Sequence, residues 1–319
     1  MTTAKQALTA HWKIWLALAA VAACSAWGGT ALAAEAAAPS AIPDWAWPIV
    51  LFLITMTLGI LAVMGGLGGA VLFVPIASSI FPSIHMDFIR GAGLMMALTG
   101  ALAAGPGLIR QNLASLRLAI PVSLVASTTS ILGAMIGLAL PANLIQILLG
   151  VIILAMSMFM YFSRSSGEVS SDTKDPLALA LGIKGEYQED GKWHKWAPRN
   201  MITGLVLFSL IGLMAGMFGI GAGWANVPVL NVVMGVPLKI SVATSYFLLA
   251  ITDTSAAWVY INRGALLPYI VIPAVIGIMI GAKLGVKVLS RAKPAMIKKV
   301  VITLLLLAGA RALLKGLGI

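Results

Sequence analysis

Three features of this sequence could do chemistry inside an otherwise apolar chain: two glycine runs, one isolated carboxylate, and a few polar residues near them. The runs are Gly65-Gly66-Leu67-Gly68-Gly69 and Gly219-Ile220-Gly221-Ala222-Gly223. Glycine lets the backbone leave a helix and lets another group approach closely. A helix restarting after each run would present free N–H groups and a partial positive charge at its start. Pro75 and Pro228 follow within those restarted segments and leave the carbonyls of Val71 and Trp224 without their usual donors. In hydrocarbon such backbone survives only where it is buried in protein or lines a cavity. The plainer reading is that the glycines allow close helix packing. Recurrence of the interruption favours an anion-binding site, built from Gly65, Gly66, Gly68, Gly69, Gly219, Gly221, Ala222 and Gly223. Asn226 and Thr244 are the side chains placed to add hydrogen bonds, and Ser245 beside them completes the expected binding set.

Of the ten acids, only Asp253 falls in the middle of an apolar segment, in Ala250-Ile251-Thr252-Asp253-Thr254-Ser255. A carboxylate there costs a few kcal/mol and marks function by default. The chemistry it offers is proton coupling; a structural hydrogen bond, or an ion pair with Arg90 or Lys283, is the competing reading. Arg90, beside Gly91-Ala92-Gly93, is the basic residue best placed to meet an anion, unless it snorkels to the interface. The Ser127-Thr128-Thr129-Ser130 cluster could line a path or bond back to its own helix.

Other chemistries find no support. Cys24 is the only cysteine, and His11, His85 and His194 lie far apart, so neither a disulfide nor a metal site is expected. No cofactor is expected: the GxGxG string lacks the soluble strand–turn–helix unit of a dinucleotide fingerprint. No nucleophile–base motif marks an enzyme, although a membrane-embedded enzyme or assembly factor is the alternative from another class.

The elements that must position these residues are membrane spans. Sixty per cent of the residues are hydrophobic and ten per cent charged, where a soluble domain carries about a quarter charged. The net charge of +11 sits in short loops and at helix ends, where it reads as topology information rather than a nucleic-acid face. Five apolar segments, at 48–64, 69–81, 91–110, 117–139 and 143–162, are followed by a polar stretch. Five more then come at 200–218, 223–236, 242–261, 266–288 and 296–314. The second of each set is too short to span comfortably.

The two sets are copies: Val74-Pro75 matches Val227-Pro228, Ile120-Pro121 matches Ile272-Pro273, and Gly133-Ala134 resembles Gly281-Ala282. The expected fold is an all-α polytopic membrane protein of two inverted homologous halves, each of about five segments. The first two segments of each half are broken or re-entrant at a glycine-rich tip. Basic residues at Arg110, Arg117, Lys287, Arg291, Lys293, Lys298 and Lys299 orient the halves in opposite senses; Arg311 and Lys315 then fall outside, against the trend. The expected units are a first repeat at 45–163, a cytoplasmic loop at 164–199 and a second repeat at 200–316. Asp190-Gly191 could turn a small hairpin in the loop, which otherwise reads as a linker. Residues 1–34 read as a signal peptide cleaved after Ala33 or as an uncleaved first transmembrane helix, and Val21-Ala22-Ala23-Cys24 resembles a lipoprotein processing site. The expected location is the inner membrane, multi-pass.

The second half resembles the TauE/SafE sulfite-exporter family of membrane permeases. The resemblance rests on Gly219-Ile220-Gly221-Ala222-Gly223, Val227-Pro228, Gly235-Val236-Pro237 and Ala243-Thr244-Ser245. It continues through Asn262-Arg263-Gly264, Ile272-Pro273, Gly281-Ala282-Lys283-Leu284-Gly285 and Arg291, and extends over about 48–315. It implies secondary transport of sulfite, sulfonates or related small anions, often as export, with another anion such as an organic acid as the alternative. Gly91-Ala92-Gly93 in the first half, where the second has Ala243-Thr244-Ser245, departs from the pattern, as do Ala222 and Trp224. Both departures bear on substrate choice.

Overall fold

The computed structural model describes residues 46–66, 68–81, 84–162, 175–189, 192–291 and 294–317. The reading of 1–34, with His11 and Cys24, lies outside them, as do Leu67, Lys293 and the Asp190-Gly191 turn.

Each half consists of a helix, a short broken helix, a long helix and two more helices. In the first half these are α1 (Trp47–Gly65), α2 (Ala70–Ile80), α3 (Met86–Arg110), α4 (Leu116–Gly137) and α5 (Ala142–Phe162). After α6 (Pro176–Ala180), β1 (Gly185–Glu189) and β2 (Lys192–Trp196), the order repeats as α7 (Met201–Phe218), α8 (Gly223–Pro228), α9 (Leu238–Asn262), α10 (Pro268–Arg291) and α11 (Pro294–Gly316). Among the described residues five helices are long and apolar enough to cross a membrane: α1, α3, α4, α7 and the Pro268–Leu289 portion of α10. Exposed Leu124, Ile202 and Val206 give the outer helix faces the apolar surface that lipid requires. The chain is an all-α, multi-pass membrane protein, an architecture consistent with the inner membrane.

The glycine runs end helices. α1 stops at Gly66 (φ 68°), whose N–H donates back to the Ala62 and Val63 carbonyls, and α7 stops at Gly219 (φ 65°), bonded to Ala215. Gly68, Gly69 and Gly221 are also left-handed, so the chain turns before each short helix begins. Pro75 is carried inside α2. Pro228 ends α8 after six residues, and 229–233 continue as a π turn, the kind of local unwinding that a proline-freed carbonyl promotes.

Packing is reciprocal between the halves. α1 lies along α10, α4 along α7, and α5 along α11, while α3 and α9 meet each other and pack on α10 and α4 respectively. Small residues make these approaches possible. Gly277 and Gly281 of α10 lie against Thr55 and Met56 of α1; Gly133 and Gly137 of α4 lie against Leu213 and Met217 of α7; Gly150 of α5 lies against Leu313 of α11. Gly133 and its repeat counterpart Gly285, which lies against Ile60 and Val63 of α1, thus occupy equivalent inter-half contacts, whereas Gly281 sits one turn earlier.

Among the described residues between the halves, 175–189 and 192–196 are folded, not merely a linker. β1 and β2 pair antiparallel with Tyr187 opposite His194, and Ala178, Ile183 and Trp196 are buried. Asp175 ties this unit to the second half. One carboxylate oxygen accepts from the N–H groups of Leu177 and Ala178, capping α6, and the other accepts from Met201 N–H at the start of α7 (2.8 Å). Partial burial pushes its pKa up, but the N–H donors of Met201, Ala178 and Leu177 outweigh that and leave it lowered. A lowered carboxylate pKa contributes stability that is present above the unfolded value and lost as pH falls through the folded one. Asp175→Ala is therefore expected to loosen 176–196 by about 1 kcal/mol, read as faster amide exchange there. The wild type should show the same loosening only below the ordinary aspartate range.

Candidate functional site

The two glycine runs converge on one pair of side chains where α3 meets α9. A Cβ added at Gly68 would lie 3.0 Å from Leu249 Cδ1 and 3.3 Å from Ala97 Cβ; one added at Gly221 would lie 3.0 Å from Leu249 Cδ2 and 3.2 Å from Ala97 Cβ. Ala97 and Leu249 are counterparts in the two repeats. The tips therefore share a centre, filled in this structure by side chains. Gly66 backs onto Val242 of α9, and Gly219 onto Arg90 of α3, again counterparts.

The polar groups at this centre belong mainly to the second half. Ser245 Oγ donates to the Gly66 carbonyl (2.8 Å), and Asn226 Nδ2 lies 3.4 Å from Ser245 Oγ. Through them α8 and α9 hold the first glycine tip in place. The Tyr246 hydroxyl takes a hydrogen bond from the Gly68 backbone. Asp253 is fully buried, with Oδ2 2.7 Å from the position of a Cβ at Gly221. Neither of its oxygens has a hydrogen-bond partner among the described residues; nor do Asn226 Oδ1 and Trp224 Nε1, on the short helix behind the second tip. The first half offers Ala101 at the position of Asp253, Phe73 at that of Asn226 and Gly93 at that of Ser245.

Arg90 is buried, its terminal nitrogens reach helix ends, and its Nε has no partner among the described residues. Its Nη1 donates to the Gly137 carbonyl, ending α4, and to the Met217 carbonyl near the end of α7, each at 3.1 Å; Nη2 pairs with Asp87. A cation suits the negative ends of two helix dipoles. Tyr260 donates to the Gly216 carbonyl beside it, so the α7 terminus that leads into the second tip is held from two sides. Thr244, next to Ser245, faces elsewhere: its Oγ1 accepts from Ser115 N–H at the start of α4. Gly65 closes α1, Gly69 opens α2, and Ala222 and Gly223 open α8. Of the hydroxyl cluster, Ser130 donates to the Thr252 carbonyl, whereas Ser127 Oγ has no partner among the described residues.

Two apolar clefts flank the centre. The larger, about 550 Å³, lies between α3 and α9 and includes Leu102, Gly105, Pro106, Ile109, Phe247 and Ala250 in its wall. The smaller, about 430 Å³, includes Thr254, Ala257, Trp258, Ile261, Met95 and Leu98. Each of these six is the repeat counterpart of one of the first six. The clefts are thus the same feature built twice. A third cleft, of about 460 Å³ and polar, lies under the hairpin between Asn112, Glu186, Trp193 and Lys239.

No group of three or more His, Cys, Asp or Glu among the described residues could hold a metal. The residues that sequence reasoning missed are Ala97, Leu249 and Tyr246. The first two carry no signal beyond apolarity. Tyr246 did carry one, as a hydroxyl within a span, directly after Thr244-Ser245.

Residues 51–312 match the family described as Sulfite exporter TauE/SafE. A relative from Bacillus subtilis (strain 168), described as probable membrane transporter protein YunE, is 21% identical over 275 residues, covering 84% of this chain and 97% of its own. No solved structure matches. A match running from the first span to the last, over helices that bring two glycine tips together, places this chain in the TauE/SafE family of membrane transporters.

Proposed function

We propose that this transporter moves a small sulfur-containing anion, sulfite or a sulfonate, out of the cell by alternating access, with the anion held between the two glycine tips. The observation that carries this reading is the shared centre: Gly68 and Gly221, from different halves, reach the same Ala97–Leu249 pair. Main-chain donors at the tips let an apolar protein hold an anion without a dedicated buried cation. Arg90 then acts through the α4 and α7 ends rather than on the anion itself. Asn226, whose Oδ1 is unpartnered, and Ser245 add side-chain hydrogen bonds. Asp253, against the second tip and without a partner among the described residues, carries the coupling proton. With the halves inverted, residues 164–199 are cytoplasmic and each of the twin clefts serves one face of the membrane.

The test is flux through purified protein in liposomes, across sulfite, sulfate, methanesulfonate and acetate, with and without a pH gradient. Saturable movement of sulfite or methanesulfonate in preference to acetate is expected. Preference for acetate, or no saturable flux of any of the four, overturns the reading.

A further inference from the structure

Access to the glycine tips from one membrane face does not require an apolar wall, and the wall of the larger cleft says what it could hold. In the larger cleft the polar atoms are few and already engaged. Thr254 Oγ1 donates to the Ala250 carbonyl at 2.6 Å, and Ser255 Oγ donates to the Ile251 carbonyl at 3.3 Å. The rest of the wall is Ala, Leu, Ile, Phe, Gly, Pro and Tyr246. Such a wall offers no spare donor to replace the water around a charged head group, and it favours hydrocarbon.

Tyr246 joins the cleft to the anion centre. Its ring lines the cleft, while its hydroxyl is bonded to the Gly68 backbone. One buried side chain therefore reaches from the apolar space to the first glycine tip. Its counterpart Leu94 has no hydroxyl, so the smaller cleft lacks this tie.

We infer that the α3–α9 cleft receives the aliphatic tail of an organic anion whose charged head sits at the glycine tips, with Tyr246 as the gate between them. This rests on the anion reading of the tips and narrows it. The substrate class becomes an alkanesulfonate, or a similar anion with an unbranched tail of several carbons, rather than a bare oxyanion.

Gly105 supplies the test. It lines the cleft, and a Cβ there would meet nothing within 4 Å, so a side chain at Gly105 starts in open space and Gly105→Leu extends into the cleft. Binding of methane-, butane-, hexane- and octanesulfonate is measured by calorimetry on protein in lipid nanodiscs, which keep detergent out of the cleft. In the wild type, affinity is expected to rise roughly fourfold per added methylene, the ratio that about 0.8 kcal/mol of CH2 burial gives, until the cleft is full. In Gly105→Leu the series should be nearly flat, with methanesulfonate bound as in the wild type. Equal slopes in the two proteins would mean that the tail merely partitions into lipid, and would overturn the inference. So would octanol competing as well as octanesulfonate, because the head would then be irrelevant. Methanesulfonate binding with no chain-length effect overturns the tail site and leaves the anion centre standing. Absence of binding by every sulfonate and by sulfite overturns both.

Discussion

Gly221→Val is expected to abolish anion flux while the protein still inserts and folds. Two effects act at this position, and a second glycine separates them. Gly221 has φ +71° and Gly264, between α9 and α10, has φ +66°. A β-branched residue at either carries the left-handed backbone penalty, about 1–2 kcal/mol. At Gly264 nothing lies within 4 Å of the new Cβ, whereas at Gly221 it would lie 2.7 Å from Asp253 Oδ2 and 3.0 Å from Leu249. Both variants should lose similar thermal stability from the backbone term. Only Gly221→Val should fall to background flux in liposomes, because it fills the centre. Comparable transport by the two would remove the tips from the mechanism.

Asp253→Asn should separate movement from coupling. Asn keeps the size of the side chain but cannot release a proton at any working pH. Anion exchange at equal pH on both sides should persist, while accumulation driven by a pH gradient should disappear. The measurement is tracer uptake into vesicles with and without an imposed gradient. Gradient-driven accumulation at the wild-type level would assign Asp253 to structure alone. The environment makes this a sharp test: the carboxylate has no hydrogen-bond partner among the described residues, so a change in flux is not confounded by a stranded counter-charge there.

The glycine tips were legible because Gly and Pro act on the backbone itself, and a duplicated backbone signal stands out in an apolar chain. The bounds of α1, α4, α5 and α7 likewise lie within a residue or two of the apolar segments read from sequence. Partner choice was not legible. An apolar residue says that it is buried, not against which helix, so the reciprocal pairing of α1 with α10 and α4 with α7 had no signature beyond small residues. Neighbouring positions show the same limit. Thr244 read as the hydrogen-bonding side chain and Ser245 as its neighbour, but adjacent helical residues point about 100° apart. One therefore holds the first glycine tip and the other the start of α4. Arg90 read as an anion ligand or a snorkelling side chain because the two carbonyls it reaches lie 47 and 127 residues away. The folded piece between the halves was partly legible: its hairpin had a turn signal, but the anchoring role of Asp175 did not.

The reciprocal packing also sets a schedule for biogenesis. α1 finds its main neighbour in α10, about 220 residues later in the chain, so neither half owns a complete interior when it leaves the ribosome. At 5–20 residues per second, α1 waits on the order of 10–40 s in the bilayer before α10 exists. During that interval Thr55, which donates to its own helix at Leu51, and the small-residue face around Gly59 must be covered by lipid or by the insertion machinery. Quality control that senses unpaired small-residue faces would therefore see every nascent copy as incomplete until its final third has been made. A truncation after the first half should be cleared by the cell rather than accumulate as half a transporter.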